Sequence, residues 1–230
     1  NFETYAFVIT VTRNGMIKKT SLPRMVIERT SKAVPCMKLK PGDELISVSV
    51  AYANDDLILV SAEGFCNKYS LEILSDLAPK AQGVMGMNVK NDELIAVVAD
   101  HHDSCELLLG SNKGGFKRIH TNTLEFTSRN AKGYRLFKQI KSNPHLLNRA
   151  LMVSGYTSLY IADPEGLKEL PVSDIPFMDT EQSFSTPLRL NPNFYCIRKD
   201  MSDIADVRII DIPSSYYQEA REEEQTTLFD

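Results

Sequence analysis

A glycine returns about every fifty residues at the end of an apolar run, and that recurrence restricts the possible folds more than any other feature of the chain. Gly15 closes AFVITVTRNG, Gly64 closes LILVSAEG, Gly114 closes ELLLGSNKG and Gly166 closes SLYIADPEG. The spacings are 49, 50 and 52 residues. Self-similarity at a fixed period on this scale marks a repeat architecture. Function is then expected on a surface repeated around the molecule, not in one pocket.

Each unit shows the same order of events. An apolar, strand-like run leads into a turn at Asn14-Gly15, Glu63-Gly64, Lys113-Gly114-Gly115 or Pro164-Glu165-Gly166. Asn-Gly and Gly-Gly suit hairpin turns because both central residues tolerate positive φ. A second strand leaves each turn: MIKKTSL, FCNKYSL, GFKRIHT and LKELPV. Two further elements recur. PGDELISVSV (41–50) and KNDELIAVVA (90–99) are near copies, and SNPHLLNRALMV (142–153) is a worn third. Upstream of these lie SKAVPCMKL, AQGVMGMNV and AKGYRLFKQ, in which Gly83 and Gly133 stand 50 residues apart and Ala33 takes their place in the first unit.

Helical periodicity is nearly absent. Residues 68–78 are expected to form an extended connector with a short turn. Residues 216–224 read as a polar helix or a frayed end. About fifty residues of mostly strand per unit suits a four-stranded blade. The predicted fold is therefore all-β, a propeller-like array of four or five four-stranded blades with six allowed, open or irregular in closure. Its expected span is 1–213, in units of about 5–52, 53–100, 101–152 and 153–213, followed by an acidic tail at 214–230. Residues 174–213 lack the glycine signal but keep NFYCIR and ADVRIIDI, which are expected to supply outer strands or a degenerate fifth blade. Asn1 suggests that the chain is part of something longer.

The net charge of −4 hides strong alternation. Residues 1–40 hold eight Lys/Arg against two Asp/Glu, and 101–150 hold nine against three. Residues 41–100 hold three against ten, 151–213 five against ten, and 214–230 one against five. Local patches, not the total, decide what a surface attracts. The four cysteines form no CxxC pair, so a zinc site is not expected and free thiols are. Asp43-Glu44 and Asp92-Glu93 read as turn and capping residues, Asp55-Asp56 as a turn, and His101-His102-Asp103 as a polar loop. No glycine-rich phosphate loop precedes a helix. The longest apolar stretches fall far below the ~20 residues that span a bilayer. No catalytic residue, metal ligand or cofactor site is assigned.

The ordered set T-x-x-G-x-x-K-[KR], R-x-A-x-G-V and G-D-E-L-I-x-V resembles the C-terminal domain of the A subunit of bacterial type IIA topoisomerases, gyrase and topoisomerase IV. Thr12 to Lys19 and Gly42 to Ile46 carry it first. Lys80 to Val84 with Asp92 to Ile95 carry it again, and Lys117-Arg118 with Arg129 to Gly133 carry a third copy. The resemblance covers about residues 5–172. It implies a β-pinwheel, a disc whose blades exchange strands and whose basic rim binds and bends duplex DNA. The family's cleavage tyrosine lies outside any region matched here. Gyrase carries a Q-R-R-G-G-K-G box. The nearest segment here, Glu28 to Val34, has none of its glycines, which favours topoisomerase IV.

That resemblance implies three partners: duplex DNA, the rest of a homodimeric A subunit, and the ATPase B subunit. It also implies a bacterial cytoplasmic, nucleoid-associated setting with no membrane. The expected DNA-contacting cations form two sets. Beside the hairpin glycines stand Arg13, Lys18, Lys19, Lys68, Lys113, Lys117 and Arg118. On the connectors stand Lys32, Lys38, Lys80, Arg129, Lys132, Arg135 and Lys138. Repeated cations on a curved rim neutralise successive phosphates without reading sequence. The competing readings are a gyrase wrapping domain, a propeller scaffold for protein partners, and a propeller enzyme with a site at its central channel. The acidic tail reads as a solubilising terminus or as a competitor for the basic rim.

Overall fold

A lone hairpin cannot bury both of its faces, and here each hairpin solves that problem by stacking on the next. The computed structural model describes residues 6–25, 33, 35–102, 106–190 and 194–199. Lys32, Cys105 and residues 200–230, with the ADVRIIDI segment, the 216–224 helix and the acidic tail, lie outside the described residues. The first two units supply β1 (Ala6–Thr12), β2 (Met16–Ser21), β3 (Leu45–Tyr52), β4 (Asp56–Ser61), β5 (Phe65–Ser70), β6 (Val84–Met85) and β7 (Leu94–Asp100). The next two supply β8 (Glu106–Ser111), β9 (Phe116–His120), β10 (Tyr134–Arg135), β11 (Leu147–Val153), β12 (Ser158–Asp163), β13 (Gly166–Pro171) and β14 (Tyr195–Arg198).

Every glycine-marked unit opens with the expected antiparallel hairpin, β1–β2, β4–β5, β8–β9 and β12–β13. The recurring D-E-L-I element becomes the third strand, giving the orders β3-β1-β2, β7-β4-β5 and β11-β8-β9, with β14-β12-β13 in the fourth blade. The fourth turn departs from the pattern. Asp163 pairs directly with Gly166, so its loop is the two residues Pro164-Glu165 and Gly166 lies in the strand.

The fourth strand of a blade comes from the following unit. β6 pairs with β2 through Met16↔Met85 and Ile17↔Val84, and β10 pairs with β5 through Phe65↔Arg135 and Cys66↔Tyr134. On β9 the same role falls to a single bridge, Phe116↔Ser185. This exchange makes the fold an open β-pinwheel. Residues 174–199 thus supply outer elements through Phe177 and Ser185, whereas β14 takes the third-strand place that β3, β7 and β11 hold in the other blades, on the converging edge. Gly83 and Gly133 permit the exchange. Both sit at positive φ, +84° and +79°, and a Cβ would lie 2.4 Å from the Ile17 carbonyl oxygen in one case and 1.9 Å from that of Cys66 in the other.

Among the described residues three apolar cores fill the three seams between four blades. Ile9, Val11 and Ile17 meet Leu57, Leu59 and Leu94. Ile58, Val60 and Cys66 meet Leu107, Leu109 and Ile119. Leu108 and Phe116 meet Leu159, Ile161 and Val172. Alternate residues of β4 therefore serve opposite seams, and all six are buried. A strand covered on both faces reads as an unbroken apolar run, as LILV does. The blades converge on one edge, where the Ser47 hydroxyl of β3 bonds the Val97 main chain of β7. The opposite, diverging edge carries the connectors.

Cys36, Cys66 and Cys196 are free thiols. Burial pushes the Cys66 thiol up to about 12, which leaves it unreactive. Among the described residues no helix is long and apolar enough to cross a membrane.

Candidate nucleic-acid interface

Most of the cations that follow the first three hairpin glycines do not point outward. Lys18, Lys68, Lys117 and Arg118 are all buried. This corrects their expected placement on an open rim, and the reason is the strand exchange. The donated connector runs along the free edge of β2, β5 or β9 and seals it. The buried cations then satisfy the connector's main-chain carbonyls, which would otherwise be orphaned.

Two clamp positions repeat. At the first, the Lys18 ammonium donates to the carbonyls of Cys36, Pro79 (2.7 Å) and Ala78 (3.3 Å). Asn67 holds the next blade's carbonyls at Ala131 (2.8 Å), Arg129 and Ser128. Lys117 donates to Leu136, Asp179 and Gln182 at 2.9, 2.7 and 3.0 Å. At the second position Lys19 donates to the Leu71 carbonyl and Lys68 to that of Thr121. Arg118 donates to the Ile175 carbonyl at 2.6 Å and to Glu106. Lys68 also lies 3.4 Å from Asp56 and 3.7 Å from Asp100. Burial drives the Lys117 ammonium down to about 8, with Asp179 opposing the shift.

Sequence reasoning missed Asn67, whose amide reproduces the donor role of a lysine without charge. It also missed Phe126 and Phe177, exposed rings that cap the Lys68 ammonium at 4.9 Å and the Arg118 guanidinium at 4.1 Å. Their spacing of 51 residues in the repeat is the signal that could have found them.

The remaining expected cations divide by environment. Arg13 is exposed but ion-paired with Glu44 at 2.8 Å and with Glu93. Lys113 bonds the Asn143 side chain. Arg135 pairs with Glu63 at 3.2 Å and packs over Phe65, with the Lys132 ammonium 4.1 Å from the same ring. Arg129 is half-buried and donates to the Met85 carbonyl. Lys38, Lys80, Lys132 and Lys138 are exposed.

These last residues share one structural element. Successive connectors are stitched together by matching main-chain bonds: Lys38 N–H to the Ala81 carbonyl, Asn88 to Ala131, and Lys138 to Gln182. The connectors thus form one continuous band along the diverging edge. Lys38 and Lys138 occupy the same repeat position on it, and Lys80, Arg129 and Lys132 lie in the turns between. The acidic pairs behave as turn residues. Asp43 accepts from the Asn14 and Glu44 amides, and Asp92 from those of Glu63 and Glu93. His101 Nδ1 lies 2.6 Å from Asp55, in a loop at the end of β7. Among the described residues no group of His, Cys, Asp and Glu side chains could hold a metal ion.

A family model described as "DNA gyrase C-terminal domain, beta-propeller" matches residues 6–51, 55–99 and 106–152. The chain belongs to this family. The three matched segments are the first three blades, and the match ends before the blade with the shortened turn. The A subunit of DNA topoisomerase 4 from Staphylococcus epidermidis (strain ATCC 12228 / FDA PCI 1200) is 35% identical over 162 residues, 70% of this chain and 20% of that protein. Its counterpart from Staphylococcus aureus (strain MSSA476) is 34% identical over 161 residues, again 70% and 20%. The chain therefore spans about a fifth of the length of these relatives. Among solved structures it is similar to the C-terminal domain of DNA topoisomerase IV, with a TM-score of 0.76 at 24% identity over 87% of this chain and 64% of that one. The DNA gyrase A C-terminal domain gives 0.73 at 19% identity over 84% and 64%. Likeness at these identities supports the fold alone, and the family's β-propeller description agrees with the blades found here.

Proposed function

We propose that this chain is the non-catalytic DNA-binding and DNA-bending domain of an A subunit of the topoisomerase IV type. In this reading it guides duplex DNA for strand passage, in decatenation and relaxation, by a parent enzyme. That enzyme carries its cleavage tyrosine elsewhere, pairs two A subunits and draws on an ATPase B subunit, in the bacterial cytoplasm. The domain itself needs no cofactor. The observation that carries the proposal is the stitched connector band with Lys38, Lys80, Lys132 and Lys138 exposed along it and Arg129 half-exposed beside them. The buried clamp cations contribute rigidity, not phosphate contacts.

Cations at successive blades of a curved edge neutralise successive phosphates, and each contributes about 0.9 to the slope of log K against log salt. Bending ~20–30 bp costs on the order of 1–6 kcal/mol, within reach of several such contacts. The test is duplex binding by the full chain across a salt series. The expected slope is steep, with little sequence preference. Lys132→Ala and Lys138→Ala should each flatten it by about 1. Salt-independent binding, or an unchanged slope in both variants, would overturn the proposal.

A further inference from the structure

We infer that the duplex is held by the first three connectors only and leaves the disc where the fourth begins. This rests on the DNA-binding reading above and adds where the contact track ends.

The band is physically continuous across that boundary, because Lys138 N–H donates to the Gln182 carbonyl just as Asn88 donates to Ala131. A track ending there must therefore be ended by chemistry. Clamp partners fix the register. The Asp179 and Gln182 carbonyls accept from Lys117 as those of Ser128 and Ala131 accept from Asn67, so Asp179 stands where the third connector has Ser128, and Thr180 where it has Arg129. Glu181 follows in the same turn, exposed, with its amide on the Asp179 carboxylate. Ser183 follows Gln182 as Lys132 follows Ala131. A cationic turn has become an anionic one at an equivalent point on the same edge.

The hairpin reverses as well. Tyr160 pairs with Glu169 as Ile58 pairs with Lys68 and Leu108 with Arg118. Glu169 thus occupies the second clamp position and bonds Lys199 instead of a connector carbonyl. Lys168 turns back to Asp163 at 2.7 Å and to Glu165. Among the described residues no connector seals the edge of β13. Glu169 is neutralised by Lys199, and the fourth connector keeps one exposed cation, Arg189, at the repeat position of Lys138. But the two carboxylates of its turn, Asp179 and Glu181, present like charge to an approaching phosphate backbone where the third connector presents Arg129 and Lys132.

The test is photo-cross-linking of the full chain to a labelled duplex, with benzoylphenylalanine placed at Asn130 in one protein and at Glu181 in another. Cross-links are expected from position 130 and not from 181. In a third protein, Glu181→Lys with Ser183→Lys should steepen the salt slope by about 2 and lengthen the protected footprint. Asp179 is kept there so that its turn contact survives. Equal cross-linking from both positions, or an unchanged slope and footprint in the double variant, would overturn the inference while leaving DNA binding intact. Salt-independent binding with no cross-link from either position would instead remove the reading on which it rests.

Discussion

At the residue scale the most informative side chain is Lys117, which looks like a surface cation in the sequence and is fully buried in the fold. GFKRIH held the clue. Lys117 and Arg118 sit between Phe116 and Ile119 with no alternation of polar and apolar positions, the pattern of a strand covered on both faces. A lysine there is tolerable because three carbonyls receive its protons. Its burial still costs stability while it is charged. With its pKa pushed down to about 8, the unfolded chain holds the proton more tightly between about pH 8 and the ordinary lysine value near ~10.4. Stability from this group therefore rises with pH through that window, by at most about 1.4 kcal/mol per pH unit. Below pH 8 the cost is present in full. Lys117→Met should remove the slope. The raised Cys66 thiol acts in the opposite sense but equally in both proteins, so the difference between their urea-unfolding curves from pH 7.5 to 10 isolates the lysine. Parallel curves would contradict the assignment.

At the element scale, what the sequence announced and what it concealed follow from length. The hairpins were legible because a turn glycine and two apolar runs specify them locally. The third strands were legible because D-E-L-I repeats, and Asp43 and Asp92 do tie those loops to the neighbouring hairpin turns. The exchanged strands β6 and β10 are two residues each, Val84-Met85 and Tyr134-Arg135, too short for any period. Only their preceding glycine marked them, and nothing local says that they pair with the previous blade. That glycine should be intolerant of replacement. Gly133→Ala adds a Cβ at 1.9 Å from a main-chain oxygen and forces an L-residue to positive φ. A loss of about 3 kcal/mol or more is expected, because the obstacle is backbone and cannot swing aside. Gly42→Ala has the same unfavourable φ, +75°, but open space around it, and should cost about 1 kcal/mol. Denaturant midpoints of the two variants test this, and equal losses would show that the exchange tolerates a side chain.

At the scale of the whole molecule, each blade is finished by its successor, so the array has a direction. The cations of β2, β5 and β9 clamp a following connector, whereas β13 offers Lys168 and Glu169, already engaged with Asp163, Glu165 and Lys199. The same contrast appears in solvent exposure: Ile17, Cys66 and Phe116 are fully buried on the sealed edges, while Leu167 is 70% exposed. Repeat arrays open from the units with the fewest neighbours, because stability is roughly a sum of unit and interface terms. Among the described residues blade four has one apolar seam, against blade three, where blades two and three each have two. Native-state hydrogen exchange should therefore find the amides of β13 and β14 exchanging at least tenfold faster than those of β4, β5 and β8. An opening of this size costs only about 1.4 kcal/mol less than the global one, so the blade stays folded while remaining the first to loosen. Uniform protection across all four blades would mean that the chain unfolds as one cooperative block and that the missing clamp has no energetic consequence.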